Sequence, residues 1–149
     1  MRCVQCKNSV FETTSVQDEV RIGGYVFKTE MPAERCAKCG ETYVAGPALE
    51  RFDLLVARAL ATQGVITGAA FRFMRKALVM RAAELGDLLG VRPETISRWE
   101  TDKGPVDPCA FATLGGMVLD RLAGNNNTVD RLLALKAGAP RAGEVVLSL

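Results

Sequence analysis

The sequence predicts an α+β chain: a small β-rich module stapled through four cysteines, followed by an all-α domain of short helices. Three observations carry that expectation. Two Cys-x-x-Cys pairs, Cys3 with Cys6 and Cys36 with Cys39, bracket the N-terminal segment. Between them EVRI, Gly23-Gly24 and YVFKTE read as a hairpin, since consecutive glycines supply the positive φ that a two-residue turn requires. From about Ala69 the apolar residues recur at helical spacing instead.

Composition narrows the classes of activity. The chain has 149 residues, 48% hydrophobic and 24% charged, which suits an ordinary soluble protein of one or two small domains. No apolar run of about 18 residues occurs, and the start MRCVQCK lacks the basic-then-apolar order of a signal peptide. The expectation is a cytoplasmic protein with no membrane partner. A net charge of +2 means that any nucleic-acid binding must come from a local basic face. There is no histidine, which removes the commonest general base and every Ser-His or Cys-His nucleophile pair. With no glycine-rich phosphate loop either, no catalytic residue and no enzyme are expected.

The first module spans residues 1–45. Two Cys-x-x-Cys knuckles let four thiolates grip one tetrahedral ion, and Gly40 after Cys39 relieves the tight turn. Cys3, Cys6, Cys36 and Cys39 are therefore the candidate metal ligands, with one zinc ion as the expected occupant. Four thiolates fill its shell, so the ion would be structural and would contribute folding free energy to a module too small to hold a core alone. Disulfides compete poorly in a chain with no export signal, and a redox Cys-x-x-Cys would need a thioredoxin-like setting. Thiol oxidation releasing the metal stays open as a means of regulation. The fifth cysteine, Cys109, lies in an apolar helical run and reads as a small core residue.

Residues 46–68 read as a connecting helix and hinge. Pro47 suits a first helical turn, Leu49, Phe52, Leu55, Val56 and Leu60 recur at helical spacing, and Gly64 ends the helix. The short VITG at 65–68 then reads as the hinge between two domains.

Residues 69–123 form the helical domain. AAFRFMRKAL sets Phe73, Met74 and Ala77 on one face and Arg72, Arg75 and Lys76 on a solvated basic face. RAAELGDLLGV turns Leu85, Leu88 and Leu89 inward and breaks at Gly90, with Val91 packing beneath the turn. A third helix, RPETISRWE, follows at once, and two short helices joined through a glycine turn make a helix-turn-helix, whose second helix lies in the DNA major groove. On that helix Ile96 and Trp99 share one side, while Glu94, Ser97 and Arg98 share the other. The lone tryptophan is an anchor that holds the reading side chains at fixed height. Arg98 can place two hydrogen bonds on guanine and Thr95 a methyl or hydroxyl contact, with phosphate contact or capping as their alternatives. Glu94 either accepts from a cytosine amine or favours the helix N-terminus. Ser97 on the same face and Lys103 just beyond the helix join the candidate DNA contacts, and Arg92 is placed to grip phosphate.

The stretch LGVRPETISRWETDKGPVDP resembles the turn and recognition helix of Cro/C1-type (XRE) DNA-binding domains. FMRKAL resembles their first helix, and DPCAFATLGGMVLDRLAG their later packing helix, with Asp107 as N-cap and Pro108 in the first turn. Joined to a four-cysteine module, this architecture resembles the MqsA-type antitoxins and their YgiT-type zinc-finger relatives, over about residues 1–123. The resemblance implies a homodimer that binds double-stranded DNA in its own promoter and represses it, and a zinc module that silences a ribonuclease toxin. It matches the four cysteines to zinc ligands and Arg98 to the base-reading arginine. This chain departs from the pattern where the second helix usually opens with Ser or Thr and then Gln: here stand Met80, Arg81 and Ala82. Arg81 is the substitute phosphate clamp, through charge alone.

Residues 124–149 comprise a polar loop, a short helix capped by Thr128 and ending near Gly138, and a tail whose VVLSL reads as a terminal strand, a dimer-packing patch or a disordered end. Two further functions remain beside the antitoxin: a standalone zinc-stapled transcription regulator, and a protein-interaction adaptor suggested by acidic Glu94, Glu100 and Asp102 around Arg98.

Overall fold

The computed structural model describes residues 1–149. β1 (Phe11–Ile22) and β2 (Tyr25–Cys36) pair along their whole length, from Ile22 opposite Tyr25 to Phe11 opposite Cys36. The turn between them is Gly23-Gly24, both with positive φ (59° and 80°), the conformation that fits the twist of a two-residue hairpin. A short β3 (Thr42–Val44) adds to the other edge of β2 against Ala33, Glu34 and Arg35, giving the order β1-β2-β3. This small sheet ahead of six helices is the α+β architecture that the sequence predicts.

The helices are α1 (Gly46–Thr62), α2 (Gly68–Ala77), α3 (Ala82–Leu89), α4 (Pro93–Glu100), α5 (Pro108–Ala123) and α6 (Asn127–Ala137). Their ends follow local chemistry. Pro47 occupies the first turn of α1, and the Thr67 hydroxyl accepts from the Ala70 amide at the start of α2. Asp107 caps α5 through the Ala110 amide at 2.8 Å, and Gly90 closes α3 in the left-handed conformation. None of the helices is long and apolar enough to cross a membrane.

A single core joins these elements. Phe52, Val56 and Leu60 of α1 pack with Phe71 and Met74 of α2, Leu85 of α3, Ile96 of α4, and Phe111, Leu114 and Val118 of α5. α1 runs against both α2 and α5, so it belongs to the helical body. The expected hinge at 65–68 is a packed corner: Val65 is buried, its amide bonds to the Leu60 carbonyl at 3.0 Å, and a Cβ on Gly23 of the hairpin turn would meet Val65 Cγ1 at 3.0 Å. Along the hairpin, Met31 is buried and Val16, Val20, Ile22 and Phe27 lie half-buried against the same core.

Several residues sit elsewhere than the sequence suggests. Cys109 is exposed, because Ala110, Phe111, Leu114, Met117 and Val118 define the inward stripe of α5 and Cys109 falls beside it. Leu49 is exposed and Leu55 only half-buried. On α2 the buried residues are Gly68, Ala70, Phe71 and Met74, with Phe73 half-buried. Thr128 lies inside α6, after Asn126 as N-cap; its amide donates to Asp120 at 2.6 Å, tying α6 to α5. Gly138 ends α6 as expected. The VVLSL end forms no strand, and Val145, Val146, Leu147 and Leu149 are exposed.

Candidate metal centre and nucleic-acid interface

The four cysteines that the spacing singles out converge at the open end of the hairpin, opposite the glycine turn. Their sulfurs all lie within 4.8 Å of one another, with Cys3 to Cys39 and Cys6 to Cys36 each at 3.5 Å. A tetrahedral thiolate site with metal–sulfur bonds of about 2.3 Å separates its sulfurs by about 3.8 Å, so this cluster fits one metal ion. Cys3 and Cys36 are fully buried, Cys6 is half-buried and Cys39 exposed.

Each knuckle turns back through a residue in the left-handed region just after its second cysteine: Lys7 (φ 61°) and Gly40 (φ 79°). The Lys7 amide bonds to the Cys3 carbonyl and the Gly40 amide to the Cys36 carbonyl, both at 2.9 Å. Glycine takes this conformation freely and lysine at a cost, so the spacing of the cysteines prevails over local preference at Lys7.

Three of the clustered thiols are shifted, in opposite directions. The Cys36 thiol is lowered to about 6, first by the backbone amide of Cys39 and then, against burial, by Lys38, Asn8 and the Cys6 sulfur. Cys3 is lowered chiefly by the Tyr43 hydroxyl. Cys39 receives the Glu41 amide, which favours its thiolate, but the sulfur of Cys3, burial, and the sulfurs of Cys6 and Cys36 outweigh it and push the thiol up to about 12. Thiolates this close repel, and a divalent cation coordinating all four would remove that repulsion.

Two partners of the sulfurs lie outside the Cys-x-x-Cys pattern. Tyr43 of β3 places its hydroxyl 3.3 Å from Cys3 Sγ, and Asn8 Nδ2 sits 3.6 Å from Cys36 Sγ. Asn8 follows a knuckle by two residues, a faint local hint; Tyr43 has none, because only the pairing of β3 brings it to Cys3.

The second candidate site is α4. Ile96 is fully buried, and the Trp99 ring meets Phe71 edge-on with centroids 5.6 Å apart, as the anchoring role predicts. Glu94, Ser97 and Arg98 are exposed and Thr95 is half-buried. Arg92 supplies the N-cap backbone of α4 with its side chain exposed. The Arg98 guanidinium folds back to donate to the Lys103 carbonyl at 3.2 Å, so these two residues share one surface. Arg81 stands at the start of α3, the neighbouring helix, and its Nε pairs with Glu84 at 2.6 Å, while Glu84 also accepts from the Arg81 amide at 3.4 Å. The helix start thus has half of a capping box.

The charges behind α4 are largely committed. Arg75, expected on a solvated face, makes a two-pronged ion pair with Glu100 (2.5 and 2.9 Å) and also donates to the Met80 carbonyl at 2.8 Å. Both side chains are about nine-tenths buried (11% and 7% exposed), and the pairing raises the Arg75 pKa. It ties the end of α4 to α2 and to the loop before α3. Asp102 accepts from the Gly68 amide at 3.2 Å. Gly68 has no room for a side chain: a Cβ there would lie 2.3 Å from the Trp99 carbonyl oxygen.

In comparisons with known proteins the chain matches no family model, no curated protein and no solved structure.

Proposed function

We propose that the chain is a cytoplasmic, sequence-specific DNA-binding transcriptional repressor with no catalytic activity, stapled at its N-terminal end by one structural zinc ion. The observation that carries this reading is the two-sidedness of α4. Its inward residues, Ile96 and Trp99, are fixed by the core, and its outward residues, Glu94, Ser97 and Arg98, make a short polar ridge next to Arg92 and Lys103. A helix held from behind with an exposed arginine is what major-groove reading needs, since discrimination depends on a side chain arriving at a defined height over the base edge. The Lys103 carbonyl bond of Arg98 would be exchanged for guanine acceptors, and Arg92, Arg81 and Lys103 would contact phosphate.

The acidic residues that suggested an adaptor weigh less than the sequence implies, because Glu100 is neutralised by Arg75 and Asp102 is turned to Gly68. Glu94 remains the acidic residue on the outward side of α4. By its resemblance to the MqsA-type antitoxins, the chain acts as a homodimer on its own promoter, and its zinc module engages a ribonuclease toxin. That part of the proposal rests on the resemblance alone.

The test is a fluorescence-anisotropy titration against DNA from upstream of the chain's own gene, with scrambled DNA as control, across a salt series. The native chain is expected to prefer its own DNA by about a hundredfold or more, and Arg98→Ala to lose mainly that preference. Equal, weak binding to both DNAs would overturn the reading.

A further inference from the structure

We infer that Tyr43 and Asn8 hold the metal centre together from outside its ligand set, each supplying one hydrogen bond to the buried cysteine of one knuckle. This rests on the reading of the four cysteines as a metal site. The geometry assigns the direction of both bonds. The Tyr43 oxygen accepts from the Val4 amide at 2.9 Å, which leaves its own hydrogen to be donated to Cys3 Sγ, 3.3 Å away. Its ring is steadied edge-on by Phe11, with centroids 5.8 Å apart. The Asn8 amide nitrogen carries two hydrogens: one goes to the Val10 carbonyl at 2.9 Å and the other towards Cys36 Sγ at 3.6 Å. Meanwhile the Asn8 backbone carbonyl accepts from the Cys3 amide at 2.8 Å, so this residue touches both knuckles.

The arrangement is symmetric in role though not in sequence. The first cysteine of each pair, Cys3 and Cys36, is buried and receives a donor from Tyr43 or Asn8; Cys6 and Cys39 are more exposed, and their side-chain partners are the sulfurs of Cys36 and Cys3. A hydrogen bond to a coordinated thiolate lowers the charge that the metal must neutralise and fixes the sulfur's position, which is how groups beyond the ligands tune metal affinity. Tyr43 and Asn8 are thus positioning residues that determine how firmly the ion is retained.

The full chain would be loaded with zinc, or with cobalt(II) as a spectroscopic substitute, and titrated with a chromophoric chelator, beside Tyr43→Phe and Asn8→Asp. Tyr43→Phe keeps the ring against Phe11 and removes only the hydroxyl; Asn8→Asp keeps the shape and sets a carboxylate where a donor stood. Each variant is expected to hold the metal about tenfold more weakly, with a displaced sulfur-to-cobalt charge-transfer band and unchanged helical circular dichroism. Unchanged affinity and an unchanged band in both variants would overturn the inference while leaving the metal centre intact. Failure of the native chain to give a four-thiolate cobalt spectrum would overturn the metal reading itself, and the inference with it.

Discussion

The sheet region and the helical region are held by different means. Of the 25 buried residues, only Cys3, Met31, Ala33 and Cys36 lie in residues 1–45, and two of those are metal-ligand candidates. Helices α1 to α5 instead share Leu60, Phe71, Met74, Leu85, Ile96 and Leu114, all fully enclosed. The hairpin itself is divided: its glycine turn leans on Val65 and its middle on α1, while its open end has the cysteine cluster and the edge-on Phe11–Tyr43 pair. The contrast teaches where a cross-link is needed. On the metal-site reading an ion closes the region that buries few apolar side chains, and on the proposed function the region with its own core spares one polar helix face for recognition.

Removing the metal should break the comparison most sharply. Cys36→Ser, or chelation with the thiols kept reduced, forfeits a contribution on the order of 10 kcal/mol. Hydrogen exchange should then become rapid at the open ends of β1 and β2 and in β3, while amides of α5 stay protected. The reciprocal perturbation is Phe71→Ala, which empties the centre of the helical core and removes the ring that meets Trp99. It should cost about 4 kcal/mol in urea unfolding followed by far-ultraviolet circular dichroism, with metal affinity unaffected. Gly68→Ala sharpens the picture within the helical region. Its Cβ would press on the Trp99 carbonyl oxygen at 2.3 Å and on Asp102 Oδ1 at 2.7 Å, so α4 must shift. We expect a loss of about 2 kcal/mol and weaker DNA binding than stability alone explains.

The smallest expected effect is pH-dependent. The Asp120 carboxyl is held below its ordinary range by hydrogen bonds from Thr128, first the side chain and then the amide. Its contribution is therefore complete above the unfolded value of about 4 and is lost as pH falls through the lower folded value. Asp120→Asn should lower the urea midpoint at pH 7, and the gap from the native chain should close in strong acid.

Much of this organisation is legible in the sequence because it is local. The Cys-x-x-Cys spacing names all four clustered cysteines, Gly23-Gly24 marks the hairpin turn, and the apolar period with Gly90 places α3 and α4. What is not legible depends on partners distant along the chain. β3 is three residues long and exists only by pairing with Ala33 to Arg35. α1 reads as a connector because its partner α5 begins 46 positions after it ends, at Pro108 against Thr62. Arg75 looks solvated on a helical wheel, and Glu100, which buries it, stands on another helix. Cys109 reads as core because periodicity in a run of small residues leaves the inward face ambiguous by one position.

The most direct test of this division of labour is one anisotropy experiment in two states: the full chain with metal and after chelation, titrated with its own upstream DNA and with scrambled DNA. If the ion staples the sheet and α4 reads DNA from an independently held core, a preference of about a hundredfold survives chelation even as the sheet signal in circular dichroism collapses. If the preference disappears with the metal while the helical signal persists, the two regions do not work separately and the account is contradicted.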